Sequence, residues 1–257
     1  MSGRTADRRP QTDGVERLAA LIGDADSVVA LTGAGISVPS GIPDFRTPGK
    51  GLWEKVDPMK VAHIDAFHAD TREFWRFYRP RFSDLGGKKP NRAHTVLAEL
   101  EASGRLDAII TQNIDLLHSK AGSERVIEVH GSIATSSCTS CSASYPLEGV
   151  GELFDEDGIA TCVCCMGKVK PDVVLFGELL PEAAMSEAQV LCAGADVLLC
   201  VGSSLEVYPV AGLPELTLAS GGQIAIVTQG PTPYDGEAVV KLDGDVIAEL
   251  DQLVAAL

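Results

Sequence analysis

The sequence predicts an α/β fold, a parallel sheet covered on both faces by helices, with a small helical lobe and a small metal-binding lobe inserted into it. Three observations carry that expectation. Apolar runs of strand length alternate with segments whose apolar residues recur at helical spacing. The strand runs are continuous rather than alternating in polarity, as in strands buried on both faces by crossover helices. Two stretches break the rhythm: residues 47–90 gather most of the aromatic side chains, and residues 136–167 hold five of the seven cysteines.

Taken in order, residues 1–13 mix Arg4, Asp7, Arg8, Arg9 and Asp13 without an apolar stretch and read as a disordered tail, neither signal peptide nor anchor. Val15, Leu18, Ala19 and Ile22 share one helical face, Gly23 stops the helix, and Val28 to Leu31 makes the first buried strand. The unit returns with Asn91 before a helix bearing Ala93, Val96, Leu97 and Leu100, then Gly104 and a strand from Leu106 to Ile110. Val126 to Val129 is a shorter strand. Pro181 opens a further helix, Val197 to Val201 and Ile224 to Val227 follow as strands, and Val246, Leu250, Leu253 and Val254 mark a last helix. The sheet domain is thereby assigned to residues 14–46, 91–135 and 168–257.

With 257 residues and 45% hydrophobic content, the chain can bury a substantial core, which excludes disorder as its main state. A net charge of −15 opposes nucleic acid as a ligand and favours basic partners at long range. No apolar run reaches membrane-spanning length. Seven cysteines, an odd number crowded between residues 138 and 200, suit bound metal in a reducing compartment better than a disulfide framework. The expectation is a cytoplasmic protein with neither nucleic acid nor membrane as partner.

Four stretches carry chemistry. Thr32-Gly33-Ala34-Gly35-Ile36-Ser37 follows the first strand, where glycine lets backbone approach a pyrophosphate whose charge is met by free N–H groups. The third glycine of a dehydrogenase fingerprint is replaced by Val38, so the ordinary dehydrogenase pattern is not met and a tight turn without ligand is the competing reading of this stretch alone. Cys138 and Cys141 are separated by two residues, as are Cys162 and Cys165, with twenty residues between the pairs. Four thiolates so spaced close a tetrahedron around a structural zinc; Cys164 competes for the fourth place, and the two-residue spacing favours Cys165. Thr111 to Asp115 leaves a buried strand at the edge where α/β sheets bind ligands. His130 ends the next strand on the same edge, where an imidazole can act as a base near neutral pH. His63, His68, His94 and His118 are read as structural.

These stretches, together with Gly41 to Arg46, Pro171 to Glu178 and Gly202 to Ser204, resemble in their order the sirtuins (Sir2 family), NAD-dependent protein lysine deacylases of the bacterial type. The resemblance implies a Rossmann-like lobe that binds NAD, consumed as a co-substrate, beside a smaller lobe with one structural zinc. It implies that Gly33, Ala34, Gly35 and Val38 meet the phosphates, with Asp44, Phe45 and Arg46 on the loop that orders over the cofactor. Gln112, Asn113, Ile114 and Asp115 would line the ribose and nicotinamide pocket. Gly202, Ser203, Ser204, Thr228, Gln229 and Val246 would hold the adenosine half.

His130 and Asn113 are the catalytic residues so implied. The acyl-lysine carbonyl oxygen attacks ribose C1′ as nicotinamide departs, and His130 acts as base on the ribose hydroxyl that attacks the resulting alkylimidate. Water then releases lysine and O-acyl-ADP-ribose. Val174, Phe176 and Gly177 would wall the acyl-lysine tunnel. The backbone around Gly177–Glu178 and Leu205–Glu206 would hold the peptide as a strand. The implied partners are acylated lysine side chains of proteins.

Three departures from the family pattern carry expectations of their own. Thr228 stands where sirtuins usually have Asn, which predicts weaker NAD binding. Met166 replaces the commoner Gly after Cys165, beside the extra thiol Cys164, which predicts a looser or an oxidation-sensitive knuckle. Tyr78 and Arg81 are spaced like a pair that reads acidic acyl groups, whereas the run Thr47 to Trp53 looks like the deacetylase form. The expected activity is deacetylation, the alternatives being desuccinylation or another deacylation, or mono-ADP-ribosyl transfer from the same pocket.

Overall fold

The computed structural model describes residues 9–44 and 56–257. Helix α1 (Arg9–Asp24) leads into strand β1 (Val28–Thr32), whose every residue is buried, and then into a 3-10 turn, Ala34–Ser40. The helix starts within the stretch expected to be tail. Pro10 lies in its first turn, where the missing N–H costs no helical hydrogen bond. Three helices follow: α2 (Pro58–Val61), α3 (Ile64–Ala69) and α4 (Thr71–Gly87), the last capped by Asp70, whose carboxylate accepts from Glu73 N at 2.9 Å. Helix α5 (Arg92–Ala102) begins at Asn91 with a capping box completed by His94. Strand β2 (Ala108–Thr111), helix α6 (Leu117–Ala121) and strand β3 (Val126–Glu128) complete the first half.

The chain then builds a second sheet from β4 (Gly131–Cys138), β5 (Ser144–Pro146) and, after helix α7 (Leu147–Val150), β6 (Val169–Val173). It returns to the first sheet through α8 (Glu182–Gly194), β7 (Val197–Val201), α9 (Leu213–Ala219), β8 (Gln223–Val227), β9 (Val240–Leu242) and α10 (Val246–Ala256).

The large sheet is wholly parallel, in the order β3-β2-β1-β7-β8-β9. Helices α1, α5 and α10 cover one face through Leu18, Val96, Leu97, Leu250 and Leu253, and α8 and α9 cover the other through Ala188, Cys192 and Leu213. Strand order reverses between β1 and β7, so a crevice opens at their carboxyl ends, the switch point where such sheets take ligands. Among the described residues no helix is long and apolar enough to cross a membrane.

Two expected boundaries move. The insertion placed at residues 136–167 is a sheet that starts at Gly131 and ends at Val173, because β4 pairs antiparallel with β6 from Gly131↔Val173 to Cys138↔Val169. The cysteine-bearing segment needs that pairing to bring its two halves together. The helical insertion and the cysteine insertion also share one core. Phe67, Phe74, Trp75 and Phe82 pack with Ile133, Leu153, Val169 and Leu175, and the Trp75 indole N–H donates to Val169 O at 3.1 Å. The two segments thus bury their apolar side chains against each other, and truncating a buried residue such as Trp75 to Ala would cost about 3–5 kcal/mol.

Candidate active site and metal centre

The two loops at the switch point touch through backbone. Gly33 N donates to Val201 O at 3.1 Å and Gly35 N to Gly202 O at 2.8 Å. A Cβ on Gly35 would sit 2.7 Å from Gly202 O, and one on Gly202 only 2.2 Å from Ile36 N. These glycines are therefore needed to let the loops meet. That corrects the expectation of free N–H groups at Gly33 and Gly35, whose amides are already bonded across the crevice.

Behind the loops lies a buried polar network that ties β1 to β2. Asn113 Nδ2 donates to Gly33 O and to Ser37 Oγ, both at 3.1 Å, and Ser37 Oγ donates to Asp115 Oδ2 at 2.6 Å. Asp115 Oδ1 accepts from Leu117 N at 3.0 Å. His94 Nδ1 accepts from Asn91 N, which leaves Nε2–H facing Ser37 Oγ at 3.4 Å. Thr32 Oγ1 bonds Thr111 Oγ1 and His118 Nε2, each at 2.9 Å. Burial lowers the pKa of His94 to about 4, against the pull of Asp115, and that of His118 to about 3, so both rings are neutral at pH 7. Sequence reading treated both histidines as structural and missed that His94 meets Ser37. Only the Asn91-to-His94 capping spacing hints at it.

His130 faces the same crevice. Its Nδ1 lies 3.1 Å from Gln112 O, and a carbonyl can only accept, so Nδ1 carries the proton and Nε2 keeps its lone pair. Burial lowers the His130 pKa, with the Gln112 carbonyl opposing, and the ring is neutral at pH 7. Gln112 also donates from Nε2 to Ser203 Oγ at 2.9 Å, which joins the β2 loop to the β7 loop.

Across the crevice, Val174 N donates to the main-chain oxygen of His130 at 2.8 Å. Phe176, 44% exposed, is held by Ala62 O and Ile64 N, and Gly177 adopts a φ of +87° where a Cβ would lie 2.8 Å from the His63 ring. The Glu178 carboxylate turns inward to Leu175 N and Lys170. Leu205 is buried with φ +54°, a costly conformation for a side chain of its size.

The other residues expected at the site lie on several elements. Ile114 packs against the core of the small lobe. Thr228 is buried, with its N–H on Leu242 O, whereas Gln229 and Ser204 are exposed and Val246 half-buried. Ala34 and Val38 lie in the 3-10 turn, Val38 43% exposed, and Asp44 closes the described part of that segment. Phe45, Arg46 and the run Thr47 to Trp53 lie outside the described residues. Tyr78 stacks on Phe82, while Arg81 lies 3.6 Å from the Phe77 ring centroid and donates to Phe77 O at 2.5 Å, so both are engaged in helix packing.

The four cysteines meet at the far end of β4. Their sulfurs all lie within 4.8 Å of one another, with Cys138–Cys165 and Cys141–Cys162 at 3.5 Å. A zinc tetrahedron with bonds of about 2.3 Å has edges of about 3.8 Å, so the donor set fits. Cys165 belongs to the quartet and the exposed Cys164 does not; the latter's N–H donates to Cys162 Sγ at 3.4 Å. Each pair makes the same turn. Cys138 N bonds Ala143 O and Cys162 N bonds Gly167 O, both at 2.8 Å, while Ser142 and Met166 take φ of +59° and +61°. Tyr145 is an addition the spacing did not reveal: its hydroxyl accepts from Val163 N and donates to Cys162 Sγ at 3.0 Å.

A Sir2 family model matches residues 33–209. The NAD-dependent protein deacetylase of Thermotoga maritima is 43% identical over 227 residues, covering 88% of this chain and 92% of that protein. That of Sulfolobus acidocaldarius is 46% identical over 221 residues, 86% of each. Among solved structures, a Sir2 with a p53 peptide and NAD+ is similar at 40% identity and a TM-score of 0.87, covering 93% of this chain and 96% of that one. A Sir2 bound to acetylated peptide gives 38%, 0.86, 94% and 97%. With the glycine loops, polar network, crevice histidine and cysteine quartet in place, the chain belongs to the Sir2 family.

Proposed function

We infer that this protein is an NAD-dependent protein lysine deacetylase, which transfers the acyl group to ADP-ribose and releases nicotinamide. The observation that carries the reading is His130, a neutral imidazole with its Nε2 lone pair free, on the same crevice edge as Asn113 and Asp115. NAD, as co-substrate, supplies an electrophilic ribose carbon and an acceptor hydroxyl. His130 takes the proton from that hydroxyl, and its bond to Gln112 O keeps the tautomer that can do so. Asn113, held between Gly33 and Ser37, orients the ribose end, and Asp115, aligned by Ser37 and Leu117 N, accepts from the carboxamide. Val174, Phe176 and Gly177 wall the acyl-lysine site. Zinc on the four cysteines is structural, since a closed thiolate shell leaves no position for water or substrate.

The deacetylase relatives and the acetyl-peptide neighbour support this reading. Seven cysteines, an odd number with four gathered as metal donors, suit a reducing compartment such as the cytoplasm, and the −15 charge favours acylated basic proteins over nucleic acid as partners. Arg81, spent on Phe77, gives no support to an acidic acyl group. Mass spectrometry of the products from NAD with acetyl- and succinyl-lysine peptides is the test. The expected result is O-acetyl-ADP-ribose, free lysine and nicotinamide from the acetyl peptide; faster turnover of succinyl peptide, or ADP-ribose attached to an acceptor protein, would overturn it.

A further inference from the structure

We propose that Lys170 is a positioning residue for the acyl-lysine wall, acting through Glu178. The proposal rests on the deacetylase reading and deepens it. Lys170 lies on β6, where the neighbouring Val169 and Val173 face the core of the small lobe, so its own side chain takes the opposite, polar face. There it is only 14% exposed. The ammonium donates to Pro171 O at 3.0 Å and to Val173 O at 2.8 Å, and pairs with the Glu178 carboxylate, whose Oε2 lies 3.0 Å away. The same Glu178 oxygen accepts from Leu175 N at 2.8 Å, while Glu178 N donates to Leu175 O at 3.0 Å. One ammonium thus gathers both ends of the segment that carries Val174, Phe176 and Gly177.

Among the described residues the wall is also held by His130 O at Val174, by Ala62 and Ile64 at Phe176, and by the burial of Leu175 in the small-lobe core. Without the ammonium, the half-buried Glu178 carboxylate loses its charge partner and turns to water, and Leu175 N loses its acceptor. The wall then shifts while the crevice that takes NAD, built on β1, β2 and β7, stays in place. A pair that only stabilised the fold would affect both substrates alike.

The test compares Michaelis constants of Lys170→Met, zinc-loaded, for an acetyl-lysine peptide and for NAD. Turnover by the wild-type protein first establishes the deacetylase reading, so the two failures are distinct. Expected is a rise in peptide KM of about 10-fold or more, as misplacement by an ångström can cause, with NAD KM unchanged. Glu178→Gln, which keeps an acceptor for Leu175 N, shifts peptide KM less but in the same direction. The double variant does not add the two effects, as expected of groups acting as one unit. Peptide KM within about twofold of wild type, or equal rises for peptide and NAD, overturns the proposal. Should Lys170→Met fail to fold, an unchanged peptide KM in Glu178→Gln does the same.

Discussion

Strand β4 joins two sites that solve opposite problems. It begins next to His130 and ends in Cys138, and because its two ends pair with Val173 and Val169 across an irregular register, the eight residues cover only about 13 Å, the length of β6 at about 3.3 Å per residue. At the crevice end, neutral groups are held by partners that leave one reactive position open: His130 Nε2 is available because Nδ1 is committed to Gln112 O. At the knuckle end, four thiols face one another and every surrounding bond closes the shell further. The same sheet therefore carries an open site that changes substrate and a closed one that holds a lobe. Hydrogen bonds at the first choose a tautomer, and at the second they favour the thiolate form that a metal takes.

The sharpest break is His130→Ala. Formation of free lysine and O-acetyl-ADP-ribose should fall about 100-fold or more while zinc content is unchanged, measured by product chromatography and metal analysis. Activity within a few-fold of wild type would end the division of labour. Next is Tyr145→Phe, which removes one hydroxyl from Cys162. Zinc should pass to a chromogenic chelator about 10-fold faster, with the turnover of zinc-loaded protein unaltered. Equal release rates would mean that this outer hydrogen bond does nothing for the metal.

The buried histidines sharpen the comparison through pH. Burial holds His94 at about 4 and His118 at about 3, whereas in the unfolded chain both titrate at about 6.5. The unfolded state therefore binds protons first as pH falls. Stability is complete above about 6.5 and drains as pH descends towards the folded values. Urea melts of His118→Gln should show a shallower acid loss than wild type; parallel curves would remove His118 from the account. The smallest effect is expected at Met166→Gly, which relieves a left-handed φ and should stabilise the small lobe by about 1 kcal/mol in thermal melts. No gain there would mean that the exposed Met166 side chain makes a compensating contact.

The large sheet was legible because its strands are continuous apolar runs, whereas α9 and β9, seven and three residues long, are too short to show a period. The cysteine quartet was legible because its geometry is local: two-residue spacing within each turn selects Cys165 over Cys164. What stayed hidden depends on residues distant in sequence. His94 meets Ser37 across 57 positions, Trp75 meets Val169 across 94, and the need for glycine at position 35 comes from Gly202. Composition announces such residues only as ordinary core or loop.

His130 also has two attachments that differ in kind. Its ring is bonded to Gln112 of the large sheet, and its main-chain oxygen accepts from Val174, the first residue after the small sheet. The imidazole thus stands at the joint between the two sheets and takes its aim from both. Its aim is therefore a property of the joint rather than of either sheet alone.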